Sequence, residues 1–250
     1  MTHVLADISF GPVWDQRSLL LGGIWLMLRV AVVSMILAVA GGLLLARLRL
    51  SRLRWVSVLA FVLIQVLRGV ALYVLVLWLF NGLAVASGIT LSAVQTGIIA
   101  LSLLNSAYLA EVFRAGFEAI PAGQGEAAQA IGLSDRQSAR FVLVPQMVRI
   151  TFPSMGNVFV DIVKDTAILS VIGVSELMRE TQRWAQFYFR SFEFYTAAGV
   201  VYLAIVLAVS ALWRLAERRL GAHLDIGGPP TRRRRWRSVL TAPVTPRAAT

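Results

Sequence analysis

The chain has 250 residues, 58% of them hydrophobic and only 15% charged, and its mean hydropathy is +0.72. That is more apolar surface than one soluble core can bury, and the composition reads as a membrane protein with several crossings. A net charge of +11 would point a soluble protein towards nucleic acid, but here the arginines gather at the ends of apolar runs, as membrane orientation requires, so nucleic acid is set aside as a partner.

Residues 1–18 form an extracytoplasmic N-terminal segment. It contains Asp7, Asp15 and Arg17 and has no basic start before an apolar run, so the first span is expected to act as its own insertion signal. That span covers residues 19–46. Ser34, Ala38, Gly42 and Ala46 recur in it every four residues, a small-residue seam that lets a second helix approach closely. Arg29 lies inside the run, where it either snorkels to an interface or lines a cavity. Arg47, Arg49, Arg52 and Arg54 then make a basic cluster expected on the cytoplasmic side.

Residues 55–67 are amphipathic enough to lie along the inner interface. Arg68-Gly69 marks the turn into a second crossing over residues 69–86, with an outer loop at 81–90. The third span, 92–113, carries Ser102, Asn105, Ser106 and Tyr108, and Glu111 and Arg114 are expected to close it.

A polar insert occupies about residues 116–145. Pro121 can open a helix there. The helix itself, over residues 126–131, ends at Gly132, a residue suited to a left-handed C-terminal cap. Ser134 and Gln137 have capping-box spacing for a second short helix. Pro145 begins the fourth span, to about residue 163, in which Asn157, Asp161 and Lys164 share one face. Residues 167–178 are apolar but too short to cross, and read as re-entrant. Residues 179–193 read as a polar outer loop, and 194–213 as the fifth span. The tail, 221–250, is basic and expected to be disordered, with Arg232 to Arg235 placed to touch anionic lipid. The fold class is therefore all-α: a polytopic membrane bundle of about five helices, N-terminus outside and C-terminus inside, with a cytoplasmic coupling loop.

Catalytic chemistry is missing. Lys164, the single lysine, is followed by Asp165, so no phosphate-binding Gly-x-x-x-x-Gly-Lys-Ser/Thr loop exists. The two histidines, His3 and His223, stand at opposite ends, so no two-histidine zinc motif exists. The chain also has no cysteine, which excludes disulfides, thiol catalysis and thiolate metal sites. No catalytic, metal or cofactor site is expected, and the chain is not expected to be an enzyme.

Glu126-Ala127-Ala128, Gly132 and Val142-Leu143-Val144-Pro145 stand at the spacing of a signature that runs Glu-Ala-Ala, three residues, Gly, nine residues, Ile-x-Leu-Pro. The chain resembles, on these residues, the permease subunits of bacterial ATP-binding-cassette importers. Asn105 to Gly116, Gly123-Gln124, Pro145-Gln146 and Lys164-Asp165-Thr166 resemble the polar amino-acid (histidine/glutamine-type) branch of that family, over a permease domain of residues 19–220. Two departures stand out: Arg68-Gly69-Val70-Ala71 where the branch has Arg-Gly-Thr-Pro, and Ala167-Ile168 where it has Ser-Leu.

The resemblance implies a multi-pass subunit of the bacterial inner membrane with several partners. These are cytoplasmic ATPase subunits, a second permease subunit (identical or not), an extracytoplasmic solute-binding protein, and a polar amino acid or similar solute. It implies an ATPase-coupling loop at Gly125, Glu126, Ala127, Ala128, Gly132 and Pro145. Pathway candidates are Asn105, Tyr108, Glu111, Asn157, Asp161, Lys164 and Asp165. Asp161 either meets the substrate or only neutralises Lys164. A secondary transporter or channel without an ATPase partner is the alternative; it leaves the capped insert without a task.

Overall fold

The computed structural model describes residues 8–221, which form helices and short connections with no strand among them. Residues 1–7, the expected basic tail beyond 221, and both histidines lie outside the described residues. The expected all-helical membrane bundle is what the chain forms.

A short helix α1 (Gly11–Asp15) leads into α2 (Arg17–Arg49), whose 33 residues give it a length of about 50 Å. Its main neighbour is α6 (Ala93–Glu118). All four members of the small-residue seam, Ser34, Ala38, Gly42 and Ala46, are buried. A Cβ on Gly42 would stand 2.8 Å from Leu109 Cβ, and one on Gly41 would stand 2.9 Å from Ser106 Cβ, so these glycines set how closely the two backbones approach. The Ser102 hydroxyl donates across the seam to the Ser34 carbonyl at 3.3 Å and to Ile98 of its own helix at 2.6 Å. Met27, Ala31, Leu101, Leu109, Phe113 and Met147 build the core around this pair.

Helix α6 begins at a capping box formed by Ser92 and Gln95. It ends at Glu118, beyond the expected close at residue 113. Arg114 bridges Glu111 and Glu118, three and four residues away, and this internal neutralisation lets the helix run on.

The amphipathic stretch becomes α3 (Arg54–Gly69), which buries Ala60 and Ile64 and packs Ile64 against Leu45, Ala107 and Ala110. Val70 and Ala71 are extended, and the chain turns through 97° before the next helical stretch. The expected break at Arg68-Gly69 is thus present, one residue on. The helical stretch beyond it comprises α4 (Leu72–Leu77), a π-helical turn Trp78–Gly82, and α5 (Leu83–Ser87). The loop expected over 81–90 is largely helical, because Asn81 and Ser87 donate to Leu77 and Leu83 of their own helical run and need no turn.

After the insert, α9 (Val144–Asp165) returns antiparallel along α6 and continues as a 3-10 helix, Thr166–Ile172, stopped by Gly173 at φ +85. The stretch expected as re-entrant, 167–178, prolongs α9 as far as Ile172, turns at Gly173 and enters α10 (Leu177–Tyr188) at Leu177. The expected polar loop at 179–193 is mostly this helix. Its N-cap is Glu176, 1% exposed, whose carboxylate accepts from the Met178 and Arg179 N–H groups at 2.9 and 2.8 Å and from the Tyr202 hydroxyl at 2.9 Å. The inward face of α10 mixes Leu177 and Ala185 with Glu180 and Thr181, while Phe187 is exposed, so the letters read as a polar loop. Helix α11 (Ser191–Gly221) closes the bundle, with Trp213 stacked on Phe152 and donating to the Phe152 carbonyl at 2.9 Å.

Among the described residues, α2, α6 and the stretch Ser191–Arg219 are each long and apolar enough to cross a membrane alone, and the bent pair α3 with α4–α5 counts as a fourth crossing if taken together. Helix α9 has the length, 22 residues, but Asp161, Lys164 and Asp165 lower its apolarity. The expected number of five spans therefore turns on the bent pair and on α9.

Candidate functional site

The insert stands at one end of the bundle, between α6 and α9. Its helix α7 runs Gly123–Ala130, three residues earlier than expected, and Pro121 precedes it, with its carbonyl accepting from the Gln124 N–H at 3.0 Å. The C-terminal end has both bonds of a Schellman turn: Leu133 N–H to the Ala128 carbonyl at 3.1 Å and Gly132 N–H to Gln129 at 2.9 Å. Gly132 sits at φ +87, as its position in the sequence suggests. The Ser134–Gln137 capping box is present on both sides and opens α8 (Asp135–Ser138).

The second short helix does not stay separate. It passes through a π-helical turn, Ala139–Leu143, straight into α9, so residues 135–165 make one continuous helical rod. Pro145 explains the π turn. Its ring clashes with the carbonyl four residues back and it offers no N–H, and a single widened turn absorbs both defects without breaking the rod. The Gln146 side-chain amide donates to Gln124 at 3.2 Å and pins α7 to the rod. Ala128 packs inward, whereas Glu126 and Ala127 are less enclosed and Ile131 is 78% exposed. Gly125 and Gly132 have nothing within 4 Å of where a Cβ would stand. The outer face of α7 is thus slim, and its one carboxylate is Glu126.

Further along the rod, Asp161 and Lys164 are exposed, and Ser154 and Asn157 lie on the same face. Lys164 Nζ and Asp161 Oδ1 pair at 2.7 Å, with both side chains more than half exposed. Asp165 is half-buried beside them. Below this face lies a groove of about 520 Å³ lined by Arg68, Tyr108, Glu111, Arg114, Thr151 and Ser154, among others. The Arg68 guanidinium lies over the Tyr108 ring, 5.3 Å from its centroid, and Glu111 is held by Arg114 at 2.9 Å. Tyr108, Glu111, Asn157, Asp161 and Lys164 therefore share one polar side of the chain. Asn105 does not: it is 4% exposed, and its amide donates to the Leu101 carbonyl at 2.8 Å, inside the bundle.

A capped insert of this build, set on an apolar bundle, agrees with the family described as "Binding-protein-dependent transport system inner membrane component", which the chain matches over residues 38–222. The chain belongs to this family. Relatives include the glutamine transport system permease protein GlnP of Escherichia coli (strain K12), 33% identical over 86% of this chain and 98% of that protein. Another is the histidine/lysine/arginine/ornithine transport system permease protein HisQ of Salmonella typhimurium, 32% identical over 83% of this chain and 95% of that protein. A solved amino acid ABC transporter superposes with a TM-score of 0.79 at 32% identity, covering 85% of this chain and 99% of the other. The inward-facing MetNI methionine transporter, at 19% identity and a TM-score of 0.70, shares the fold.

Two residues of this permease have a larger part in the structure than their sequence context suggests. The sequence places Arg68 at a turn near the interface, because a lone arginine in mid-bilayer is costly; in the structure, Tyr108 and the groove give it a polar setting. Glu176 stands in an apolar stretch that gives it no evident role, and as the N-cap of α10 it departs from the Ser, Thr, Asp and Asn that usually mark one. Arg29, for which the sequence leaves two placements open, is exposed on α2.

Proposed function

We propose that this permease is the membrane-embedded subunit of an amino-acid importer. In this reading it crosses the membrane five times with its N-terminus outside, and α9 makes the fourth of these crossings. Its polar side, from Arg68 to Lys164, faces a pathway shared with a second permease subunit, and α7 docks into a separate ATPase. A solute-binding protein delivers a polar amino acid to the far end. The relatives named for glutamine and for histidine, lysine, arginine and ornithine support the substrate class.

The observation that carries this reading is the unbroken rod from Asp135 to Asp165. It joins the insert to Asn157, Asp161 and Lys164 in continuous helix, with the π turn and Pro153 lying between, so a displacement of α7 by an ATPase would be delivered along it to the polar face. Charged groups on an exposed face of a spanning helix are expensive against lipid, which favours water or a second subunit there over hydrocarbon. The carboxylate of Glu126, in the first turn of α7, complements the helix dipole and offers a contact to a basic group on the ATPase.

The test is ATP-driven uptake in proteoliposomes holding the permease, its ATPase and its binding protein, screened with a panel of polar amino acids. Uptake that proceeds without ATPase or ATP would overturn the importer reading, as would a panel on which no amino acid is moved.

A further inference from the structure

A second cleft, of about 710 Å³, opens at the insert end of the bundle on a different side from the polar groove. Its floor is apolar: Leu43 at the end of α2, Phe117 at the end of α6, and Val144 and Met147 at the start of α9. Its rim is cationic, with Arg47 from α2, and Arg136 and Arg140 from α8 and the π turn. Among the described residues, none of these three arginines has an ion-pair partner; the nearest acid in the rim, Asp135, accepts from the Gln129 amide at 2.9 Å. Arg140 touches only the ring of its neighbour Phe141, at 5.7 Å.

The cleft also continues beyond its floor. Arg47 and Leu43 begin a stripe on α2 that runs on through Ile36 (63% exposed) and Val32 (46% exposed), an outward face of one helix. A cationic rim at headgroup level, an apolar floor, and an apolar stripe leading along the spanning helix fit one kind of molecule.

We propose that this cleft binds an anionic phospholipid, with the phosphodiester held by Arg47, Arg136 and Arg140 and an acyl chain lying over Leu43 towards Ile36. Basic pockets between membrane helices hold acidic headgroups by the same chemistry. An acidic protein surface would meet the rim but has no use for the floor or the stripe; a free anion would use neither. The lipid would tie α2 to the root of the insert and so stiffen the mounting of the rod. The inference does not depend on the transported solute.

Native mass spectrometry of the purified full-length permease with its ATPase tests it. Phosphatidylglycerol and phosphatidylcholine with identical acyl chains are titrated against wild type, the double variant Arg136→Gln/Arg140→Gln, and Leu43→Ser. Neither arginine has an ion-pair partner to lose, so the double variant retains its fold, checked by an unchanged melting temperature. Wild type is expected to retain phosphatidylglycerol over phosphatidylcholine. Each arginine near the headgroup contributes about fivefold in affinity, so the double variant should lose about 25-fold for phosphatidylglycerol and little for phosphatidylcholine. Leu43→Ser should weaken both lipids. Equal retention of the two lipids by wild type would overturn the proposal, as would undiminished phosphatidylglycerol binding by the double variant. Displacement of the lipid by inorganic phosphate at the same concentration would reduce the site to an anion site. Release of the ATPase with lipid binding intact would make the rim a protein contact, and either result overturns the proposal.

Discussion

The two short helices that interrupt the long ones, α7 in the insert and α10 at the far end, are built in opposite ways. Helix α7 keeps its polar groups outside and is shaped by its ends: a Schellman turn at Gly132, a capping box at Ser134 and one amide link from Gln146. Only Ala128 is buried. Helix α10 carries its polar groups inside. Glu176 and Glu180 are 1% and 6% exposed, Thr181 and Ala185 are buried with them, and a cap from Glu176 ties the helix to Tyr202 of α11. The buried Glu176 acceptor with its three bonded donors fixes one structure, whereas a capped helix with a bare outer face is a stiff surface that a partner can grip. Damage to α10 should therefore appear as instability, and damage to α7 as lost coupling in a stable protein.

The largest expected effect comes from Glu176→Ala. It leaves the Met178 and Arg179 N–H groups and the Tyr202 hydroxyl without their acceptor, at about 1 kcal/mol or more for each, so about 3 kcal/mol in all. A large fall in melting temperature in detergent is expected, and a change of less than about a degree would show that the cap does not hold α10. Glu176→Gln keeps an acceptor and sharpens the point through pH. Burial is the leading cause that raises the Glu176 pKa above its ordinary 4.5. A raised folded-state pKa means that this group's contribution is full below about 4.5 and is lost as pH rises through the higher folded value. Wild type should thus lose stability across that interval, and Glu176→Gln should flatten the loss in a melting-temperature series.

Gly132→Val comes next. Forcing a β-branched residue to φ +87 costs about 1–2 kcal/mol locally, with open space around it and no clash to add. The bundle should insert and keep its core, yet ATP-driven uptake should collapse and ATPase co-purification weaken. Normal uptake at wild-type expression would remove α7 from the coupling role.

Asp161→Asn should change stability least, by less than about 0.5 kcal/mol, because its partner Lys164 is an exposed neighbour on the same helix. Its informative readout is solute preference. Unaltered preference across an amino-acid panel would leave the pair as mutual neutralisation on the polar side.

Features that depend on neighbours along the chain were legible before any fold was known. The spacing of Ser34, Ala38, Gly42 and Ala46, the turn at Gly132, the box at Ser134 and the break after Arg68-Gly69 are all local or periodic, and all are present. Packing decided the rest. Asn105 and Tyr108 lie three residues apart on α6, yet Asn105 is sealed in the bundle and Tyr108 lies under Arg68 in the groove; which of them faced outward depended on where α3 docks. The π turn before Pro145 made one rod of two expected helices, because α8 and α9 could stay in line only by widening a turn. The polar-looking stretch after Glu176 folded into α10 because Tyr202, 26 residues further on, supplies a donor to its buried cap. Burial of a charge is settled by partners distant in sequence, and no window on the chain contains them.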